Sequence, residues 1–171
     1  MLFRSAVVFL SSTGDTLDPP GERALRRFVR RGGGWLGIHA AADAETGWPY
    51  YQDGLLGARF IGHPAIQRAT VVVEDRSHPA TARLPRRWTR TDEWYSFRPS
   101  PRGRVHVVAS LDERTYDPGA LRTGDHPIAW SRRSGRGRVF YTALGHTTES
   151  YAEPAFRRHV LGALAWVTRR R

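Results

Sequence analysis

The sequence predicts an α/β protein with a mixed sheet, and two apolar segments near its start carry that prediction. Val7 to Leu10 and Trp35 to Ile38 are short continuous apolar runs, which are typical of buried strands. Between them Pro19 begins an amphipathic helix, and Gly32 to Gly34 end it. A strand–helix–strand unit this compact implies a right-handed parallel crossover. Ligands of such sheets bind beyond the carboxyl ends of the strands.

The rest of the chain predicts more strands and two more helices. One helix ends at Gly57, and the last helix runs from about Pro154 to Thr168. Further strands are predicted at residues 66–73, 88–94, 105–111, 128–130 and 139–142. The last two of these are separated by a glycine-containing connection that is typical of a hairpin. Because most strands fall in the second half, we expect a mixed sheet.

Length and charge indicate a single domain without a specific nucleic-acid partner. The 171 residues suit one domain, residues 1–171, with one core. The net charge is +11, but the 27 basic residues are all Arg and are spread along the chain. The densest runs, at 26–31 and 169–171, fall at the C-terminal ends of predicted helices, where cations interact favourably with the helix dipole. We therefore expect a solvated basic surface.

The apolar pattern predicts a cytoplasmic protein that does not enter a membrane. No apolar run approaches the roughly 20 residues that span a bilayer. The segment from Met1 to Ser11 could mimic a short signal peptide, but its apolar run is brief and is better explained as a strand and its exit loop. The chain has no Cys, which agrees with this location and excludes thiol chemistry.

His39 directly follows the second predicted strand, at a sharp turn. In α/β hydrolases and glutamine amidotransferases the catalytic Ser or Cys stands at this kind of strand-to-helix turn. An imidazole there indicates a base, an acid or a metal ligand. The alternative is a histidine that only forms hydrogen bonds with the loop backbone.

Other candidate side chains follow predicted strands or precede proline. His63 and His126 each precede Pro, which favours extended backbone and presentation from a loop, whereas His78, also before Pro, fits a turn. Asp92 and Glu93 are adjacent, so their side chains on a strand would point to opposite faces. We therefore expect one of them, preferably Glu93, to enter a site; the alternative is an exposed pair that neutralises nearby Arg.

His146 and Glu149 follow the last predicted strand. The carboxylate could orient the imidazole, as base–orienter pairs require, or it could cap the helix that begins near Pro154. Three or more His with one carboxylate would also suit Zn²⁺, or Mn²⁺ and Fe²⁺ with more oxygen ligands. His39 and His146 are the candidate ligands, although the chain contains no short motif such as H-E-x-x-H.

Several aromatic side chains fall near these loops. Aromatic rings stack on the C–H faces of sugars, although simple packing is their commoner role. The candidates are Trp48, Tyr50, Tyr51, Trp94 and Tyr151. They fit a carbohydrate pocket, and the alternative is that they only pack against their neighbours.

Five segments, taken in order, resemble a known family. They are residues 32–43, 56–64, 91–95, 124–130 and 137–146. With this spacing they resemble the ThuA-like, or trehalose-utilisation, family over about Ala6 to Trp166. The resemblance implies a flavodoxin-like, class I glutamine amidotransferase-like three-layer sandwich with a mostly parallel sheet. In those amidotransferase relatives a Cys stands where this chain has His39, so we exclude Cys-dependent amidotransferase activity.

The resemblance also implies a role in the catabolism of trehalose or a related disaccharide, with acid–base or metal-assisted chemistry on a sugar or keto-sugar. His39 and His146 would exchange protons, assisted by Glu93 or Glu149. Substrate-binding residues would be His63, Asp92, Trp94, His126, Trp48 and Tyr51. Hydrolysis, isomerisation and elimination all remain open. The alternative is a non-catalytic module that binds a sugar or docks to a partner enzyme.

Family members usually begin with a further strand, helix and strand. The resemblance therefore implies an N-terminally truncated domain. A missing neighbour would leave unpaired backbone groups and bare apolar surface, which favours a homo-oligomer.

Overall fold

A seven-stranded sheet forms the centre of the structure, a computed structural model that describes residues 5–169. Its strands lie in the order β1-β2-β9-β8-β7-β4-β5, and β3 pairs with β6 in a small separate sheet. The strand bounds are β1 Ala6–Leu10, β2 Gly34–Ile38, β3 Phe60–Gly62, β4 Gln67–Val73, β5 Arg87–Asp92, β6 Ser96–Phe97, β7 His106–Leu111, β8 Pro127–Ser134 and β9 Gly137–Thr142. Met1 to Arg4, and Arg170 and Arg171 of the last arginine run, lie outside the described residues.

Helical segments connect these strands. The α-helices are α1 Pro19–Arg30, α2 Thr148–Ala152 and α3 Pro154–Thr168. A π-helix spans Tyr50–Leu56, and a 3₁₀ turn at His39–Asp43 follows β2. Across residues 5–169, no helix is both long and apolar enough to cross a membrane.

The predicted α/β fold with a mixed sheet is confirmed. β1, β2 and β9 are parallel, while β8, β7, β4 and β5 extend the sheet in antiparallel fashion. Parallel pairing thus covers a smaller share of the described sheet than the mostly parallel sheet that the family resemblance implies. Because the three parallel strands run side by side, the residues after Leu10, Ile38 and Thr142 meet at one edge.

Helices cover both faces of the parallel part, which gives the three layers. On one face Trp35 packs against Phe9 and Tyr51, with ring centroids 5.9 and 5.5 Å away. Leu25 of α1 lines the same apolar surface as Phe9. On the other face Phe140 packs against His159 of α3 at 5.6 Å. Side chains alternate along each strand, so one short sheet supplies both cores.

Both long helices begin where the sequence predicts. Asp18 caps α1 by accepting a hydrogen bond from the Gly21 amide at 2.8 Å, and Pro19 occupies the first turn. Pro154 likewise occupies the first turn of α3, which has no side-chain cap. The short helix α2 was not predicted, and it exists because Thr147 caps it by accepting from the Ser150 amide.

Candidate active site

His39 occupies the turn that the sequence predicts at the end of β2. Its φ is +52°, a left-handed conformation that is uncommon for residues with a side chain. Two contacts hold it there. The Tyr141 hydroxyl donates to the His39 carbonyl at 2.8 Å, and His39 Nδ1 donates to the Ala143 carbonyl at 2.9 Å. The imidazole therefore binds loop backbone with Nδ1 and turns Nε2 towards other side chains.

The Nε2 of His39 meets two further candidates. It lies 3.2 Å from Glu93 Oε2 and 3.0 Å from His146 Nδ1. The third side of this triangle, His146 Nδ1 to Glu93 Oε2, is 3.5 Å. We call His39, Glu93 and His146 the His–Glu–His cluster. On the other side of the carboxylate, His63 Nδ1 lies 3.2 Å from Glu93 Oε1.

The cluster is buried at its base and open at its top. His39 is 2% exposed, whereas the side chains of His146 and His63 are 40% and 39% exposed. Burial is the main cause that lowers the pKa of His39, and it outweighs the opposing effects of the Ala143 carbonyl and the nearby carboxylates. His39 therefore favours its neutral form, with a proton on Nδ1 and a lone pair on Nε2.

Asp92 fixes the segment after β5, which carries Glu93, and the loop after β9, which carries His146. Its side chain is completely buried, and Oδ1 accepts from the amides of Glu93 and His146, both at 3.0 Å. Oδ2 accepts from the Gly145 amide at 2.8 Å. Gly145 has φ of +104°, and a Cβ there would lie 2.7 Å from the ring of Phe156. The loop after β9 thus depends on this glycine and on this carboxylate.

Arg90 holds Asp92 from behind. Its guanidinium lies over the rings of Trp88 and Phe156, at 4.8 and 4.9 Å from their centroids. One Nη atom donates to Ser150 Oγ at 2.6 Å and lies 3.3 Å from Asp92 Oδ2. The buried charge of Asp92 is therefore compensated within the protein.

Tyr95 forms one wall of the cluster, whereas the sequence predicts this position for its neighbour Trp94. The ring of Tyr95 lies 4.2 Å from that of His39 and stacks on that of His63 at 5.5 Å. Trp94 is 1% exposed and donates Nε1 to the Gln67 carbonyl, outside the cluster. β5 ends at Asp92, so strand alternation cannot be continued to residues 93–95. The signal for Tyr95 was its place two residues after Glu93, the spacing at which side chains of an extended segment share a face.

Several predicted binding residues lie away from the opening. His126 is buried; its Nδ1 pairs with Glu113 at 2.8 Å and its Nε2 donates to the Tyr95 carbonyl at 2.9 Å. Tyr51 is a core residue whose hydroxyl donates to the Ala41 carbonyl. His126 thus holds the backbone of Tyr95, and the side chains of His126 and Tyr51 are both buried.

The remaining candidates lie at the surface. Glu149 is exposed in the first turn of α2, and no hydrogen bond or ion pair joins it to His146 in the described part of the chain. Trp48 is half-buried and packs against Tyr50. Tyr151 is exposed, and its hydroxyl donates to the Gly145 carbonyl at 3.1 Å, beside the loop that carries His146.

Comparison with known proteins identifies relatives of the whole chain. The ThuA family model, described as trehalose utilisation, matches residues 4–167. The structure is similar to that of a ThuA-like protein from Bacteroides uniformis, with TM-score 0.80, 30% identity, and coverage of 95% of this chain and 68% of that one. It is also similar to a ThuA-like protein from Parabacteroides merdae, with TM-score 0.77, 22% identity, and coverage of 95% of this chain and 70% of that one.

More distant similarity concerns the fold alone. A β-galactosidase from Bacillus circulans sp. alkalophilus matches with TM-score 0.64 and 14% identity, over 95% of this chain and 22% of that one. None of the curated proteins matches the chain.

Proposed function

We propose that this chain, which belongs to the ThuA (trehalose utilisation) family, is an enzyme that acts on an oxidised disaccharide by moving a proton next to its carbonyl group. The observation that carries the proposal is the His–Glu–His cluster. A neutral buried imidazole, a carboxylate and a second imidazole meet within 3.5 Å at the carboxyl edge of the parallel strands. Such edges are where α/β sheets bind ligands.

His146 is the member of the cluster that can meet a substrate. Its side chain is 40% exposed, and its Nδ1 is engaged with His39. Its Nε2 can then accept a proton from the carbon next to the ketone, while Nδ1 passes its own proton to His39 Nε2. This transfer leaves an enolate on the sugar and a positive charge on the His pair.

Glu93 stabilises that charge. Its Oε2 lies 3.2 Å from His39 and 3.5 Å from His146, so the positive charge forms beside a carboxylate that is already in place. Isomerisation follows when the neighbouring hydroxyl gives its proton to the enolate oxygen and the first proton returns to the former carbonyl carbon. Elimination follows when an oxygen substituent leaves from the next carbon and takes the proton from the His pair. Proton transfer by a positioned side chain contributes typically about 10²- to 10⁴-fold in rate.

The test is proton exchange on a keto-disaccharide in D₂O, followed by ¹H NMR. We expect the protein to remove the signal of the C–H next to the ketone, and we expect His146→Ala to slow this by about 100-fold or more. The matched control is His106→Ala, which removes another exposed His–carboxylate pair, with Asp75, outside the cluster. Sugar binding without exchange or turnover would instead favour a non-catalytic sugar-binding or partner-docking module.

The other parts of the proposal concern partners and location. We propose a small carbohydrate as the ligand, no specific nucleic-acid or membrane partner, and a cytoplasmic location. A homo-oligomer is also proposed, supported by the edge strand β1, where Val8 and Leu10 are 46% and 53% exposed.

A further inference from the structure

We infer that the His–Glu–His cluster binds one divalent transition-metal ion, with Zn²⁺ and Mn²⁺ as the ions to test. The ligand atoms are Nε2 of His39, Oε2 of Glu93 and Nδ1 of His146. The inference adds a cofactor to the proposed function. It rests on that function in one respect only, namely that the ion would bind an oxygen of the sugar.

The spacing of the three atoms fits a metal ion. Zn²⁺ lies about 2.1 Å from imidazole nitrogen and carboxylate oxygen, so two ligands are about 3.0 Å apart at an angle of 90° and about 3.4 Å apart at the tetrahedral angle. The three edges of the cluster measure 3.0, 3.2 and 3.5 Å. The atoms therefore already have the spacing of one face of a coordination polyhedron.

The hydrogen bonds around the cluster leave lone pairs pointing inward. His39 donates Nδ1–H to the Ala143 carbonyl, so its Nε2 lone pair faces the carboxylate of Glu93 at 3.2 Å. The lone pair of His39 Nε2 and the carboxylate oxygen of Glu93 are both hydrogen-bond acceptors, so at this distance they need a positive charge or a shared proton between them. Metal-bound His residues generally donate their other ring N–H to a carbonyl or carboxylate in this way. His39 has that arrangement.

The surroundings resemble a catalytic metal site more than a structural one. A structural Zn²⁺ site is closed by four protein ligands, whereas a catalytic site keeps a position for water or substrate. Here three ligands come from the protein, and the exposed side chain of His146 borders the opening. Asp92 orients two of the three ligands through the amides of Glu93 and His146. Two His with one carboxylate also leave one face of the ion free.

Metal binding would redistribute the proposed roles. A bound ion would polarise the sugar carbonyl as a Lewis acid. With an ion bound, His39 and His146 are ligands and carry no protons on these nitrogens, so the proton transfer from His146 to His39 belongs to the metal-free protein. His63 is then the available proton acceptor, because it is 39% exposed and its Nδ1 contacts Glu93 Oε1 at 3.2 Å.

The experiment is metal titration of the full chain in the absence of sugar. The protein is stripped with a chelator and titrated with ZnCl₂ or MnCl₂ in a calorimeter. We expect a 1:1 complex, and we expect Glu93→Gln and His146→Ala each to weaken binding by at least 100-fold. His106→Ala is the matched control and should leave the affinity unchanged. Circular dichroism and thermal unfolding confirm that each variant is folded.

Absence of stoichiometric binding, or unchanged affinity in folded Glu93→Gln and His146→Ala, would overturn the inference. Its failure is distinguishable from failure of the proposed function. Proton exchange by a metal-free protein that binds no ion would keep the function and refute the metal site. A 1:1 complex without exchange on any keto-disaccharide would keep the metal site and refute the function.

Discussion

Asp92→Asn is the change that tests whether the fold positions the cluster as described. The carboxylate accepts three backbone amides, from Glu93, Gly145 and His146, at 2.8 to 3.0 Å, and it compensates the buried charge of Arg90. Asparagine has almost the same shape, but its NH₂ group cannot accept a hydrogen bond. Whichever oxygen it replaces, at least one backbone amide loses its acceptor, and Arg90 loses one of its two carboxylate partners and keeps Glu153 at 3.3 Å.

The expected loss in the free energy of unfolding follows from these lost contacts. A hydrogen bond to a charged group is worth about 1.5–3 kcal/mol, and removal of one partner of a buried ion pair costs about 3–5 kcal/mol. These terms overlap, so we expect Asp92→Asn to lower the free energy of unfolding by about 3–5 kcal/mol. For a chain of this size that corresponds to a drop in Tm of about 10 °C. Urea and thermal unfolding measure both quantities.

The matched control is Asp125→Asn. Asp125 also pairs with an arginine, Arg102, at 2.6 Å, but the pair is exposed. Exposed pairs are worth about 0–1 kcal/mol, so this variant should change stability little. If Asp92→Asn cost no more than Asp125→Asn, the account of Asp92 as the residue that fixes both loops would be wrong. Proton exchange should fall by about 100-fold in Asp92→Asn, since displacement of a catalytic group by about 1 Å can cost that much.

Three further changes test the surrounding structure. Burial lowers the pKa of His159 from 6.5 to about 4, so the unfolded chain binds this proton first and stability falls as the pH falls. Burial lowers the pKa of His78 to about 4 as well, so His159→Gln should make the loss of stability from pH 7 to pH 5, measured by urea unfolding, smaller by about 2 kcal/mol without abolishing it. Gly145→Ala should cost about 2–4 kcal/mol in the same assay, because Ala disfavours φ of +104° and its Cβ meets Phe156; no loss would contradict this loop geometry. His126→Ala should lower stability by about 3 kcal/mol, because it leaves buried Glu113 without its imidazole partner; a loss below 1 kcal/mol would refute that role.

The sequence predicted the features that depend on neighbouring residues. Pro19 and the glycines after α1 bound a helix through backbone chemistry that acts within one turn. The turn at His39 was predicted because an apolar strand ends there, and the φ of +52° confirms the sharp exit. The parallel pairing of β1 and β2 followed from the length of the connection between them.

Side-chain direction beyond the end of a strand could not be predicted in the same way. Alternation singled out one carboxylate of the acidic pair, and the structure brings Glu93 to the cluster while Asp92 is buried behind it. Trp94 was proposed only as an aromatic residue near these loops, yet Tyr95, two residues after Glu93, lines the cluster. Glu149 was associated with His146 by spacing alone. The cap at Thr147 begins α2 at once and leaves that carboxylate exposed.

The buried residues behind the cluster explain why sequence spacing is a poor guide to this site. Asp92 and Arg90 lie on β5, the strand at the far edge of the sheet, yet they hold the loop after β9, which is separated from them by three strands in the sheet order. Helix α2 adds a further contact between the two segments, since Ser150 donates its hydroxyl to Asp92 at 3.5 Å and accepts from Arg90 at 2.6 Å. No local rule connects residues 92 and 146. Their contact depends on the strand order, which determines where both segments end.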